Sequence, residues 1–207
     1  MSDYSPYRLD FPEAHALGDL EGIKQDLEWV IQAAHFYKEE HNKRNYEFCL
    51  FEALCIALVV KYARGHMTGE RRRIPIQWLA DFSDEEKSNH QYFMDYRNKF
   101  VAHSVNGFEE NFAVAYFKDV QLGNPTFSQV HGRHGRIVSL SIAETHDLSR
   151  LAAKLLIKVN AQIEIEKKIV TDIVRAMPID QILKQEPIAL AMNKEHAGLT
   201  RKRKKEK

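Results

Sequence analysis

The sequence predicts a mainly α protein, a helical bundle with a small antiparallel β-hairpin or sheet inserted over about residues 111–142. Three observations carry that class. Apolar residues recur at helical spacing in several long stretches, most clearly over 18–41 and 145–176. One further stretch, Cys49 to Val60, is apolar on nearly every side. After Asn106-Gly107 the apolar period switches to two. The 207 residues, 44% hydrophobic and 29% charged, suffice for one large domain with a real core.

The elements follow in order. Residues 1–17, with Pro6 and Pro12, read as an irregular lead-in to a single helical domain over 18–186. Leu20, Ile23, Leu27, Val30, Ile31, Ala34 and Tyr37 predict a first long helix from Gly18 to about His41. The polar cluster 41–45 reads as a turn, and a second helix spans about 46–66. A helix lacking a polar face belongs in the middle of a bundle. Its one interior charge, Glu52, needs a cation, hydrogen-bond donors or a proton. Cys49 and Cys55 lie six apart on that helix, too far for a disulfide, and read as reduced buried thiols. A basic loop, Arg71-Arg72-Arg73, comes next, and Ile76, Trp78 and Leu79 suggest a short turn plugging one end of the bundle.

Ser83-Asp84-Glu85-Glu86 is a capping box that opens a third helix, with Phe93, Tyr96 and Phe100 at helical spacing. Phe112, Val114 and Tyr116 alternate as a strand. Gly123-Asn124-Pro125 marks a turn, His131 to Arg136 (HGRHGR) reads as another, and 137–142 reads as the second strand. From about Thr145 to Ala176 the stripe Leu148, Ala152, Leu155, Val159, Ile163, Val170 and Ile173 predicts a helix roughly 48 Å long. A helix of that length suits a partner subunit or a platform for the bundle. Pro178 ends it, one more turn fits 179–184, and residues 187–207 read as a basic tail. The net charge of +1 divides into +5 for residues 194–207 and −4 for the rest.

The composition also excludes. No Gly-rich phosphate loop, HExxH or GxSxG is present, so NTPase, zinc-protease and serine-hydrolase chemistry lack their residues. The longest apolar stretch is twelve residues and contains Glu52, whereas a bilayer needs about twenty. With no secretory leader pattern, a cytoplasmic protein without a membrane partner is expected. His131 and His134 form an HxxH that offers two metal ligands, but no Cys or acid completes a set. The expectation is no metal and no cofactor.

Chemistry concentrates in Arg97-Asn98-Lys99-Phe100-Val101-Ala102-His103-Ser104. Histidine titrates near neutrality and serves as general base or acid, while arginine offers a phosphate a permanently charged planar fork. Together they meet the needs of RNA cleavage without a metal. A proton leaves the 2′-hydroxyl, charge is stabilised at phosphorus, and a 2′,3′-cyclic phosphate results. On a regular helix positions 97 and 103 point about 120° apart and lie roughly 9 Å apart along the axis. Convergence on one phosphate therefore requires a break before His103 or a second subunit, and a dimer with a shared cleft is expected. Lys99 lies on much the same face as His103, and Arg71, Arg72 and Arg73 could touch RNA backbone. A rival reading makes Arg97 the ion-pair partner of Glu52 and His103 a donor to a backbone carbonyl.

Arg97-Asn98 with a histidine after five intervening residues resembles the signature of HEPN-domain proteins. That signature is an arginine, usually followed by Asn, Asp or His, then a histidine after four to six intervening residues. The order of helices is similar too, and FVAHS (100–104) with FEEN (108–111) resembles HEPN proteins of abortive-infection and toxin–antitoxin systems. The likeness spans about 18–175, its specific part 93–111. It implies a HEPN-like bundle and a metal-independent endoribonuclease acting as a homodimer on RNA, with an antitoxin protein as a possible partner. Arg97 and His103 would be its active pair and Asn98 would position them. The alternative is a non-catalytic dimeric binding or adaptor module.

Overall fold

The computed structural model describes residues 6–43, 47–67, 69, 71–101, 109–136 and 139–184. Its helices are α1 (Pro12–His41), α2 (Phe48–Arg64), α3 (Asp84–Asp95), α4 (Ile142–Ala176) and the short α5 (Ile179–Leu183). A 3-10 turn occupies Ile76–Leu79, and a π-helical turn, Tyr96–Val101, continues α3. Strands β1 (Glu109–Lys118) and β2 (Thr126–Arg136) pair antiparallel as one hairpin. The mainly α class with an inserted antiparallel hairpin is what the chain adopts. Among the described residues no helix is long and apolar enough to cross a membrane.

α1 begins at Pro12, six residues ahead of the sequence expectation. A proline at the first helical position loses no hydrogen bond, because that N–H has no partner in any helix. The faces that bury are those the spacing foretold. Leu20, Ile23, Leu27, Val30 and Tyr37 of α1 meet Leu148, Leu155, Val159 and Ile163 of α4, and this is the most extensive contact between helices. Each such side chain contributes about 1.5–3 kcal/mol by leaving water. Phe51, Cys55, Leu58 and Tyr62 of α2 complete the core with Phe93 and Tyr96.

Helix starts are set by local chemistry. The Ser83 hydroxyl accepts from Glu86 N–H at 3.2 Å, and the Glu86 carboxylate accepts from Ser83 N–H at 2.9 Å, the reciprocal capping box expected there. Ser141 and Glu144 form a second box, so α4 starts at Ile142, ahead of Thr145. That start corrects the second strand. Residues 139–142 lead into and begin a helix, Ile137 and Val138 lie outside the described residues, and the pairing strand is Thr126–Arg136. HGRHGR is therefore the end of β2 and not a turn. Its glycines and polar residues mask it as strand, because a two-stranded ribbon with both faces exposed needs no apolar alternation. The hairpin's exit is tied to the core at Leu140. There the backbone N–H donates to Cys55 Sγ at 3.1 Å, and the carbonyl accepts from the Tyr37 hydroxyl. Burial first, against these hydrogen bonds, pushes the Cys55 thiol pKa up and keeps it an inert core group. Cys49, expected to be buried, is exposed.

α2 also departs from expectation. Its face through Phe51, Cys55, Leu58, Val59 and Tyr62 is buried. The opposite stripe, Cys49, Ala53, Ile56 and Val60, is exposed at its first two positions and half-exposed at the others. An all-apolar helix thus covers one face within the chain and leaves the other open.

Candidate active site

Arg97 and Asn98 lie on the π turn that follows α3, both half-buried. The turn is anchored by Phe93 and by Tyr96, which is fully buried. In a π turn the hydrogen bond runs from i to i+5, so Tyr96 and Val101 stack on the core side, whereas a regular helix would set them about 140° apart. The widening departs from regular helix over Tyr96–Val101, the stretch for which the projection of Arg97 assumed one. Such single π turns occur often at functional sites. Arg97 Nη1 donates to Asn98 Oδ1 at 3.0 Å. That contact uses one of the five guanidinium N–H donors and fixes the orientation of the fork.

The surroundings are cationic and lie at the C-terminal end of α3, where the helix dipole favours positive charge. Lys99 pairs with Asp95 at 2.9 Å, and Gln91 Nε2 donates to the same carboxylate at 3.0 Å. The Lys99 hydrogen bond leads in holding the Asp95 carboxyl below its ordinary pKa. Glu52, the acid of the rival reading, sits half-buried on α2. His103 and the loop Ser104-Val105-Asn106-Gly107 lie outside the described residues, as does the basic tail.

The triple arginine is divided by the fold. Arg71 Nη1 donates to the buried Asp26 at 2.9 Å, and Lys61 and Arg64 approach that carboxylate at 2.9 and 3.5 Å. Arg72 pairs with Glu166 at 2.8 Å, while its backbone N–H donates to Asp19 at 2.7 Å. These contacts clamp the loop between α1 and α4, so Arg71 and Arg72 hold the body together. Arg73 alone of the three is left to solvent without a carboxylate among the described contacts. The partners Asp19 and Asp26 escaped sequence reasoning, although acids on the otherwise apolar face of α1 were the available signal.

His131 and His134 occupy opposite faces of β2, since residues three apart on a strand point to opposite sides. They do not converge on one ion. Among the described residues no group of three His, Cys, Asp or Glu side chains gathers as a metal site. A separate half-buried pair forms where α2 ends, with the His66 and His90 rings 4.7 Å apart. His90 Nδ1 lies 2.8 Å from the Tyr62 hydroxyl. Burial, then the neighbouring His90, pushes the His66 pKa down to about 3.

No protein-family model matches the chain, and comparison with curated proteins and with solved structures likewise returns no match.

Proposed function

We propose that this chain is a metal-independent endoribonuclease of the HEPN type, acting as a homodimer. Arg97 binds the phosphate, Asn98 orients its guanidinium, and His103 either takes the proton from the attacking 2′-hydroxyl or gives one to the departing 5′-oxygen. The observation that carries the reading is the hydrogen-bonded Arg97–Asn98 pair on a π turn, with no carboxylate paired to Arg97 among the ion pairs of the described residues. The homodimer draws support from α2, which packs on the π turn and leaves the stripe Cys49, Ala53, Ile56 and Val60 open. The 4-3-4 spacing of that stripe is that of a helix–helix seam. A second copy seated there would bring two arginine motifs close together. The biological setting implied by the resemblance, a toxin or phage-defence effector restrained by an antitoxin, belongs to the same proposal.

Single-turnover cleavage of a labelled RNA in EDTA tests it. Arg97→Ala and His103→Ala should each slow cleavage by about 100-fold or more while the helical circular dichroism is retained. Folded variants that cut as fast as the parent would remove the assignment. The runner-up is a non-catalytic dimeric adaptor, favoured by the carboxylates that hold Arg71, Arg72 and Lys99. It predicts a dimer that Ala53→Glu dissociates, with no cleavage by the parent chain.

A further inference from the structure

The hairpin stands apart from the bundle. The extensive contacts of β1 and β2 are with each other, and neither strand packs substantially on a helix. Yet it carries large apolar side chains into solvent, with Phe112 48% exposed, Phe117 52% and Phe127 58%. A surface ribbon gains nothing for the core from such residues, so they need another reason.

The register sorts them into two unlike faces. Phe112 pairs with Arg133, Val114 with His131 and Tyr116 with Gln129, so these six share one face, and Lys118 follows on it by alternation. From Phe112 to Lys118 that face contains no acid. Its groups are organised. Arg133 donates from Nε to the Tyr116 hydroxyl at 2.9 Å, its guanidinium lies 5.8 Å from the Tyr116 ring centroid, and the His131 ring meets Tyr116 edge-on at 5.6 Å. The opposite face is plain by comparison, with Ala113, Ala115, Gly132 and Val130 leading to the Phe117–Phe127 ring pair near the hairpin's end.

Planar rings interleaved with cations are what single-stranded nucleic acid requires. Bases stack on rings and guanidinium planes, and phosphates meet the cations. We propose that the face bearing Phe112, Tyr116, His131 and Arg133 captures single-stranded RNA, stacking bases on Phe112 and the Arg133 guanidinium and placing phosphates against Arg133 and Lys118. A second copy is the weaker occupant, because a two-fold pairing would set one cationic face against another. The choice of RNA rests on the ribonuclease reading. β1 begins eight residues after Val101, so the ribbon starts within roughly 28 Å of the π turn, a span a few nucleotides cover.

The test uses the full chain and a labelled 2′-O-methyl oligouridylate of about twelve nucleotides, a length suited to such surfaces. This probe lacks the attacking hydroxyl and survives any cleavage activity. Fluorescence anisotropy should show binding that Phe112→Ala and Arg133→Ala each weaken by roughly 5- to 100-fold. Val130→Thr, on the other face, should leave affinity within about twofold. The ribbon supports no helix, so all three variants should keep the parental melting temperature. Parental affinity in Phe112→Ala and Arg133→Ala, or equally tight binding of a duplex, overturns the proposal. So does a change from dimer to monomer in those variants with RNA affinity intact. A chain that binds the probe through Phe112 and Arg133 but leaves ordinary RNA uncut upholds strand capture and sinks only the nuclease reading.

Discussion

The bundle and the ribbon use the same residue types to opposite ends. In the bundle the loop arginines are matched by carboxylates, Arg71 by Asp26 and Arg72 by Glu166, and aromatic rings such as Tyr37 and Phe93 are buried. In the ribbon Arg133 meets a tyrosine instead of an acid, and Phe112, Phe117 and Phe127 face solvent. A two-stranded hairpin by itself is marginally stable in water. This one is held through its strand pairing and its Leu140 exit. Aromatics and arginines inside the bundle therefore stabilise, whereas those on the arm are available for recognition.

The sharpest way to break that contrast is through the core. Leu155→Ala, at a fully buried position between α1 and α4, should cost about 2–5 kcal/mol in urea unfolding. A loss below about 1 kcal/mol would mean that the α1–α4 seam is not the main source of stability. Asp26→Asn comes next, since it leaves Lys61, Arg64 and Arg71 gathered around a neutral amide. Breaking a buried pair of this kind costs roughly 3 kcal/mol, and the thermal midpoint should fall with it. Parental stability in that variant would show the arginine loop to be ornamental.

The half-buried histidines sharpen the comparison through pH. His66 titrates near 6.5 in the unfolded chain and at about 3 in the fold, where burial and then the charge of His90 oppose protonation. Because the folded value is the lower, the stability due to neutral His66 is complete above about pH 6.5 and is lost as pH falls toward 3. The slope is about 1.4 kcal/mol per pH unit in that window, or roughly 2 kcal/mol at pH 5. His90, also lowered by burial, acts with the same sign. His66→Phe should flatten this part of the profile in denaturation at pH 7 and pH 5. An unchanged slope would place the acid sensitivity elsewhere. Last and smallest is Phe127→Ala on the ribbon, expected to change unfolding free energy by no more than about 0.5 kcal/mol. A drop as large as that of Leu155→Ala would show the ribbon to be part of the bundle.

Much of this was legible in the residues. The stripe Leu148, Ala152, Leu155, Val159 foretold the buried face of α4, and Ser83 with Glu86 marked the start of α3, because both signals are local and periodic. The second strand was misplaced because the apolar run at 137–142 looked more strand-like than Gly132 and Gly135 did. The Ser141–Glu144 box that begins α4 there went unread. The candidate site was half legible. Arg97-Asn98 stood out by type and order, but the π turn did not, since no spacing rule separates YRNKFV from one more turn of regular helix.

By itself the sequence determined the helical class, the core faces of α1 and α4, one capping box and the presence of a hairpin. These depend on residues a few positions apart. Only the tertiary structure decided that Arg71 and Arg72 answer Asp26 and Glu166, that α2 keeps one apolar face open, and that Phe112 and Arg133 share a surface. Those pairings join positions from 21 to 94 residues apart, or depend on what a helix fails to meet. Charge and packing act through space, so only the folded chain settles which groups become neighbours.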